Sequence, residues 1–311
     1  MAFALYAHFT GGWPDRIPTG VAEIASYSES RNPRQRECFG MREHHVPVGE
    51  TCDYGADVPP SYVVWGDSHA DAVIHAVGKV AERHDKAVRF LSSSGCLPAV
   101  AIERVDYDYS CASDNAAYLD YILRNHEIES VILVARYTLY VYGWSSDLGP
   151  AEKYRTDSPY ITDVSRKVYD LEGRKSLLKV QLEKTVKLLL DAGKRVVLVY
   201  PIPEVGYNVP AALAQMMVAH HELASFTRPF SYYKKRQQFI FSVLDDLGQS
   251  TNIIRIYPHT LLCDAMTCLT YANGKPLYWD ADHLSLAGAD FVAPLLESVF
   301  ASMNTERRAA Q

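Results

Sequence analysis

From Ser61 onward the chain alternates between short apolar runs and amphipathic segments, and this alternation is the strongest constraint on its fold. β-rich runs stand at Tyr62–Trp65, Ala87–Leu91, Ser130–Ala135, Arg195–Tyr200 and Asn252–Ile256. Between and after them the spacing predicts helices over His69–His84, Asp114–Asn125, Thr162–Ala192, Pro210–Leu223, Ser231–Leu247 and Ser285–Ser302. Ala70, Val73, Ile74, Val77 and Val80 trace one helix face at the three-four spacing. Gly193 is a stop signal for the long third helix. Short apolar strands separated by helices imply an α/β fold of three layers, with a mostly parallel five-stranded sheet covered on both faces. Five strands suit a flavodoxin-like order, which puts ligand chemistry at the carboxyl ends of the strands. Ala272–Lys275, "ANGK", reads as a hairpin turn.

The first sixty residues lack such periodicity and read as an irregular extension or linker packed on the core, with a short helix near Val21–Ser28. Trp13, Phe39 and two cysteines argue for packing over a disordered tag. The domain division expected is therefore 1–60 for the extension, 61–303 for the catalytic domain and 304–311 for a frayed tail. Of the residues, 48% are hydrophobic and 22% charged, as in ordinary globular chains. The net charge of −6 gives no electrostatic footprint for nucleic acid. The six cysteines fall in neighbouring pairs, Cys38/Cys52, Cys96/Cys111 and Cys263/Cys268. Fifteen pairings are formally open, and buried thiols are the alternative. Each neighbouring pair spans a loop that a disulfide could close, which would suit an oxidising compartment. Yet the N-terminus has neither a basic leader region nor a cleavage site, and no stretch has the length of a membrane helix.

The chemistry is expected at the strand ends. "YVVWGDSHA" places Ser68 at the first turn of a helix, where unpaired N–H groups and the helix dipole favour negative charge. Asp67 or Ser68 could equally be a helix cap. A nucleophilic serine needs a base held by an acid. Of the eleven histidines, His283 in "YWDADHLSLAGADFV" is best placed, just before the last helix. Asp280, three residues earlier, can reach its Nδ1 through a tight turn. Asp282 is adjacent, but neighbouring side chains usually diverge. No histidine spacing marks a metal centre, and none is expected.

Together, "GDS" at Gly66–Ser68 and Asp280-x-x-His283 resemble the SGNH (GDSL-like) hydrolases. The resemblance implies a catalytic triad of Ser68, His283 and Asp280. It maps the second-block glycine to Gly95 in "LSSSGCLPA", so that the N–H groups of Ser68 and Gly95 would form the oxyanion hole. The family's third-block Gly-x-Asn-Asp is absent and "VILVARYTLY" stands there. Either Arg136 or another group substitutes as oxyanion donor, or the hole has two donors. Arg136 could equally clamp an anionic sugar or pair with a structural Asp. "VVWGDSHA", "SGCLPA" and "PLYWDADHLSLAGA" resemble the subgroup fused behind membrane-embedded acyltransferase-3 domains in bacterial polysaccharide O-acyltransferases such as O-antigen acetylases.

For this chain the resemblance implies a domain on the periplasmic face of the inner membrane, exported by membrane helices it does not itself carry. "FTGGWPDRIP" would be the linker that follows them, and Met1 an added or internal start. An acyl group, ultimately from acyl-CoA, would pass through an acyl-serine to a hydroxyl of a cell-surface polysaccharide. No cofactor would reside in the domain. His69 and Tyr137 are candidate substrate contacts. Tyr140, Tyr142 and Trp144 could stack on sugars or form a packed flap. A stand-alone carbohydrate esterase and a weakly catalytic glycan-binding module are the competing readings.

Overall fold

The computed structural model describes residues 18–41, 44–105, 110–143, 161–164 and 170–301. Trp13, most of the linker motif, Trp144 and the 304–311 tail lie outside the described residues. The central sheet has six strands: β1 (Asp53–Gly55), β2 (Tyr62–Gly66), β3 (Ala87–Ser92), β4 (Ser130–Val134), β5 (Arg195–Val199) and β6 (Ile253–Ile256). Their order is β1-β3-β2-β4-β5-β6. Five run parallel, in the flavodoxin-like order expected. The sixth, β1, adds antiparallel to the β3 edge, with Tyr54 opposite Val88. It comes from the extension, and three residues are too few to show a strand period.

Strand side chains alternate between two cores, as the pleat requires. Tyr62, Val64, Phe90, Ile132, Val134 and Val197 face one of them. There they meet helices α2 (Ser68–Arg83), α6 (Val209–Val218) and α8 (Leu286–Val292), which supply Ile74, Leu213 and Ala289. Val63, Trp65, Leu91, Val131, Leu133 and Leu198 face the other. That face is covered by α3 (Cys111–Arg124), α5 (Leu171–Asp191) and α7 (Phe230–Asp246), through Ile122, Leu182 and Ile240. A short helix α4 (Tyr137–Tyr142) follows β4, and α1 (Thr19–Ser26) lies in the extension.

The long third helix differs from expectation. Ile161–Asp163 is a strand paired antiparallel with Ile102–Arg104, and α5 begins only at Leu171, where the Asp170 carboxylate accepts the Gly173 N–H at 2.7 Å. Asp170 is the N-cap, so the helical period holds only from that acid onward. The last helix is broken: α8 gives way to a 3₁₀ turn, Ala293–Leu296, around Pro294, which cannot donate to a helical hydrogen bond. Asn273 and Gly274 turn the expected hairpin with positive φ. The disulfides are Cys38–Cys52, Cys96–Cys111 and Cys263–Cys268. Among the described residues no helix is long and apolar enough to cross a membrane.

Candidate active site

The turn between β2 and α2 lies at the point where the strand order reverses, the crevice in which such sheets bind ligands. Gly66 is fixed by space: a Cβ there would meet the Val134 carbonyl oxygen at 1.8 Å. Asp67 is the cap of α2, its Oδ1 accepting the His69 N–H at 2.9 Å. Its Oδ2 accepts the Arg136 N–H at 2.9 Å and the Tyr140 hydroxyl at 2.6 Å. Asp67 therefore does the capping, and Ser68 is left partly accessible.

The loop before α8 brings the sequence partners to Ser68. His283 Nε2 lies 2.7 Å from Ser68 Oγ, and His283 Nδ1 lies 2.7 Å from Asp280 Oδ2. Asp280 Oδ1 accepts the N–H groups of Asp282 and His283, at 2.9 and 2.8 Å, which makes the tight turn. Trp279 stacks on the imidazole, with ring centres 4.8 Å apart and planes 18° from parallel.

Beneath His283 runs a buried ionic chain. Asp282 does not diverge from its neighbour's partner: its Oδ1 is 3.2 Å from His283 Nδ1 and 3.2 Å from His69 Nε2. Its Oδ2 meets Arg136 Nη1 at 3.1 Å. Arg136 also donates to Glu204, at 2.6 Å from Nη2, and Arg236 donates to the same Glu204 oxygen at 2.9 Å. Gln237 donates to the other oxygen at 3.3 Å. A signal for Arg236 and Gln237 existed in the sequence. They sit in the same helical stripe as Tyr233 and Ile240, positions that otherwise face the core.

Three residues are placed differently from expectation. Arg136 is 5% exposed and directs its guanidinium to Glu204 and Asp282, so it is not positioned as an oxyanion donor. His69, 1% exposed, faces Asp282 and packs 4.9 Å from the His283 ring. Tyr137 is fully buried, its hydroxyl bonded to the Leu133 carbonyl. Neither His69 nor Tyr137 presents a surface to substrate, and Tyr140 is likewise buried. Gly95 sits in the turn after β3 with φ of +65°, a left-handed conformation that glycine adopts freely. Arg104 holds its carbonyl at 3.1 Å, and the adjoining Cys96–Cys111 disulfide anchors the turn. Among the described residues, the N–H groups of Ser68 and Gly95 have no acceptor.

Part of the extension forms a strap across these elements. The Ser30 carbonyl accepts the Leu286 N–H at 3.1 Å, at the start of α8. Arg31 lies 5.2 Å from the Trp279 ring centre. Asn32 and Gln35 donate to the Asp71 carboxylate in the first turn of α2. Gly40 donates to Ser92 and accepts from Ser94, beside Gly95.

Burial alone would lower the His283 pKa, but the Asp282 charge and the hydrogen-bonded Asp280 outweigh it and push it up to about 9. The cationic form adds stability that is fully present below the unfolded value of 6.5 and is lost as pH rises through about 9. A base must be neutral, so the effect on activity has the opposite sign. Ester-cleavage kcat/KM is expected to rise about tenfold per pH unit on the acid side and to level near pH 9. Initial rates on p-nitrophenyl acetate across pH check this; a plateau already reached at pH 7 contradicts it. His69, Asp282 and His283 also offer ligand atoms within 4.8 Å of one another, but the Arg136 cation on the Asp282 carboxylate competes with any metal ion there.

The three-layer α/β/α fold thus carries a hydrogen-bonded Ser-His-Asp constellation at the switch point of its sheet. The sequence profile of the SGNH domain (fused to AT3 domains) matches residues 37–298, and the chain belongs to that family. Among solved structures it is similar to the periplasmic domain of a lipopolysaccharide acetyltransferase of Salmonella ser. Paratyphi A. Identity there is 16% and the TM-score 0.60, over 90% of this chain and 97% of that one. It is also similar to a GDSL-like lipase of Bacteroides thetaiotaomicron, at 9% identity and a TM-score of 0.44, over 90% of this chain and 99% of that one. No curated protein matches by sequence.

Proposed function

We propose that this domain transfers an acyl group, acetyl in the simplest case, through an acyl-serine to a hydroxyl of a cell-surface polysaccharide such as O-antigen. The observation that carries the reading is the continuous chain Ser68–His283–Asp280, with both links at 2.7 Å. Family membership and the likeness to the lipopolysaccharide acetyltransferase domain support transfer to a saccharide. In this reading the domain works on the periplasmic face of the inner membrane, where its three disulfides are stable. An AT3 membrane domain supplies the acyl group, drawn ultimately from acyl-CoA, and no cofactor resides in this domain.

Ser68 Oγ attacks the acyl carbonyl as its proton moves to His283 Nε2. The carbonyl electron pair moves onto oxygen, which faces the N–H groups of Ser68 and Gly95. Collapse expels the donor's leaving group, which takes the proton from His283. A saccharide hydroxyl then gives its proton to His283 and attacks the acyl-serine, and the second collapse breaks the bond to Ser68 Oγ, which takes that proton back from His283. Asp280 holds the Nδ1–H tautomer throughout.

The test is mass spectrometry of the protein after brief reaction with p-nitrophenyl acetate. One acetyl group is expected on the peptide carrying Ser68, and added oligosaccharide should discharge it faster than water does. No acetyl at Ser68 would sink the nucleophile assignment. Discharge indifferent to any saccharide would favour a plain esterase.

A further inference from the structure

We propose that Asp282 is a second carboxylate for His283, a positioning residue that holds the imidazole alongside Asp280 and stabilises the imidazolium formed when Ser68 loses its proton. This rests on the acyl-serine reading above and adds a residue to it. The geometry divides the work between the two acids. Asp280 gives one oxygen to His283 Nδ1 at 2.7 Å and commits the other to two backbone N–H groups. Its side chain is 25% exposed, so water screens part of its charge. Asp282 is 5% exposed and 3.2 Å from the same Nδ1, so its charge acts in a drier setting.

The surrounding groups show why Asp282 stays charged and stays put. Burial opposes its ionisation, but Arg136, His283 and His69 together hold its carboxyl well below the usual range. His69 Nε2 shares Oδ1 with His283 Nδ1, and Arg136 holds the other oxygen, Oδ2. That leaves the shorter Nδ1 bond to Asp280 and keeps Asp282 as a near charge. Among the described residues, Arg31 against the Trp279 ring and Asp71 in the first turn of α2 also lie near this group. Burial pushes the Asp71 carboxyl up to about 6, against the hydrogen bonds from Asn32 and Gln35. The arrangement is thus two His–Asp pairs, linked because the buried Asp282 of one also approaches the imidazole of the other. The pair His283–Asp280 touches Ser68, and the pair His69–Asp282 supports it from below.

The experiment compares Asp282→Asn and Asp280→Asn with the wild type, and reads His283 directly by ¹⁵N NMR titration in a Ser68→Ala background, which needs no turnover. Asp282→Asn is expected to move the rising limb of kcat/KM to lower pH by about one unit or more, a tenfold change in the neutral fraction at fixed pH. It should also lower the plateau kcat by roughly tenfold. Asp280→Asn is expected to cost on the order of 10⁴-fold in kcat, through the wrong tautomer. In the Asp280→Asn, Ser68→Ala protein, His283 should still titrate above the ordinary value of about 6.5, because Asp282 remains. That measurement stands even if Asp282→Asn does not fold. An unmoved limb in Asp282→Asn, or His283 at or below 6.5 once Asp280 is neutral, overturns the proposal. Full activity of Ser68→Ala would instead overturn the acyl-serine reading and leave the titration result in place.

Discussion

Ser68→Ala is expected to lose about 10⁶-fold in kcat on an activated acetyl ester, and His283→Ala about as much. The two act as a unit. Without Oγ there is no atom for His283 to deprotonate, and without Nε2 the serine keeps its proton. The double variant should therefore be little worse than either single one. The residual rate, roughly 10³-fold above water, would come from binding and from the N–H groups of Ser68 and Gly95, which alanine at position 68 leaves in place. Folding should be untouched, because among the described residues Ser68 Oγ bonds only His283, and the helix is capped by Asp67. Burst-phase and steady-state release of p-nitrophenol measure both quantities. Additive losses in the double variant would mean that serine and histidine work in separate steps.

Arg136→Met is expected to destabilise the protein by about 3–5 kcal/mol. The change removes one cation from a chain in which Asp282, Glu204 and Arg236 are all buried. Glu204 keeps Arg236 and Gln237, but Asp282 is left facing two imidazoles with no permanent positive charge. Breaking a buried pair on one side costs more than the pair contributes, since the partner's desolvation is then uncompensated. For a domain of this size the melting temperature should fall by roughly 10 °C. Acid should act on the same chain. Burial opposes ionisation of Glu204, but the two arginines outweigh it and lower its pKa from 4.5 to about 2. Its contribution is therefore present above 4.5 and is lost as pH falls toward 2. Thermal melts of wild type and variant between pH 7 and pH 3 check both statements. A melting point unchanged by Arg136→Met would show that the chain is ornamental.

The parallel sheet was legible because its three central strands, β2, β4 and β5, are buried and carry apolar runs, whereas Arg89 and Arg255 interrupt the two outer parallel strands. Ser68, Asp280 and His283 were legible because each stands at a strand-to-helix junction, where such chemistry has to sit. What escaped was long-range and polar. That Arg136 could pair with a structural acid was open from sequence, but only the fold reveals that Glu204 and Asp282 are the acids that draw it inward. Glu204 is one acid in an apolar loop, with no period to mark it. Asp282 was set aside on the rule that adjacent side chains diverge. The tight Asp280 turn defeats that rule by curling both carboxylates around one imidazole.

The strap also governs the order in which the molecule can assemble. Its bond from Leu286 to Ser30 joins residues 256 apart in sequence, and Asn32 reaches Asp71 across 39. Contacts of such separation form late, after loop closure by nearer pairs has reduced the search. The strap is among the earliest of these residues to be synthesised, yet it can dock only once the last helix has found the sheet. The expected folding record is therefore a main phase that builds the sheet and a slower one in which ester-cleaving activity returns. Chains interrupted between the two would be compact and catalytically silent.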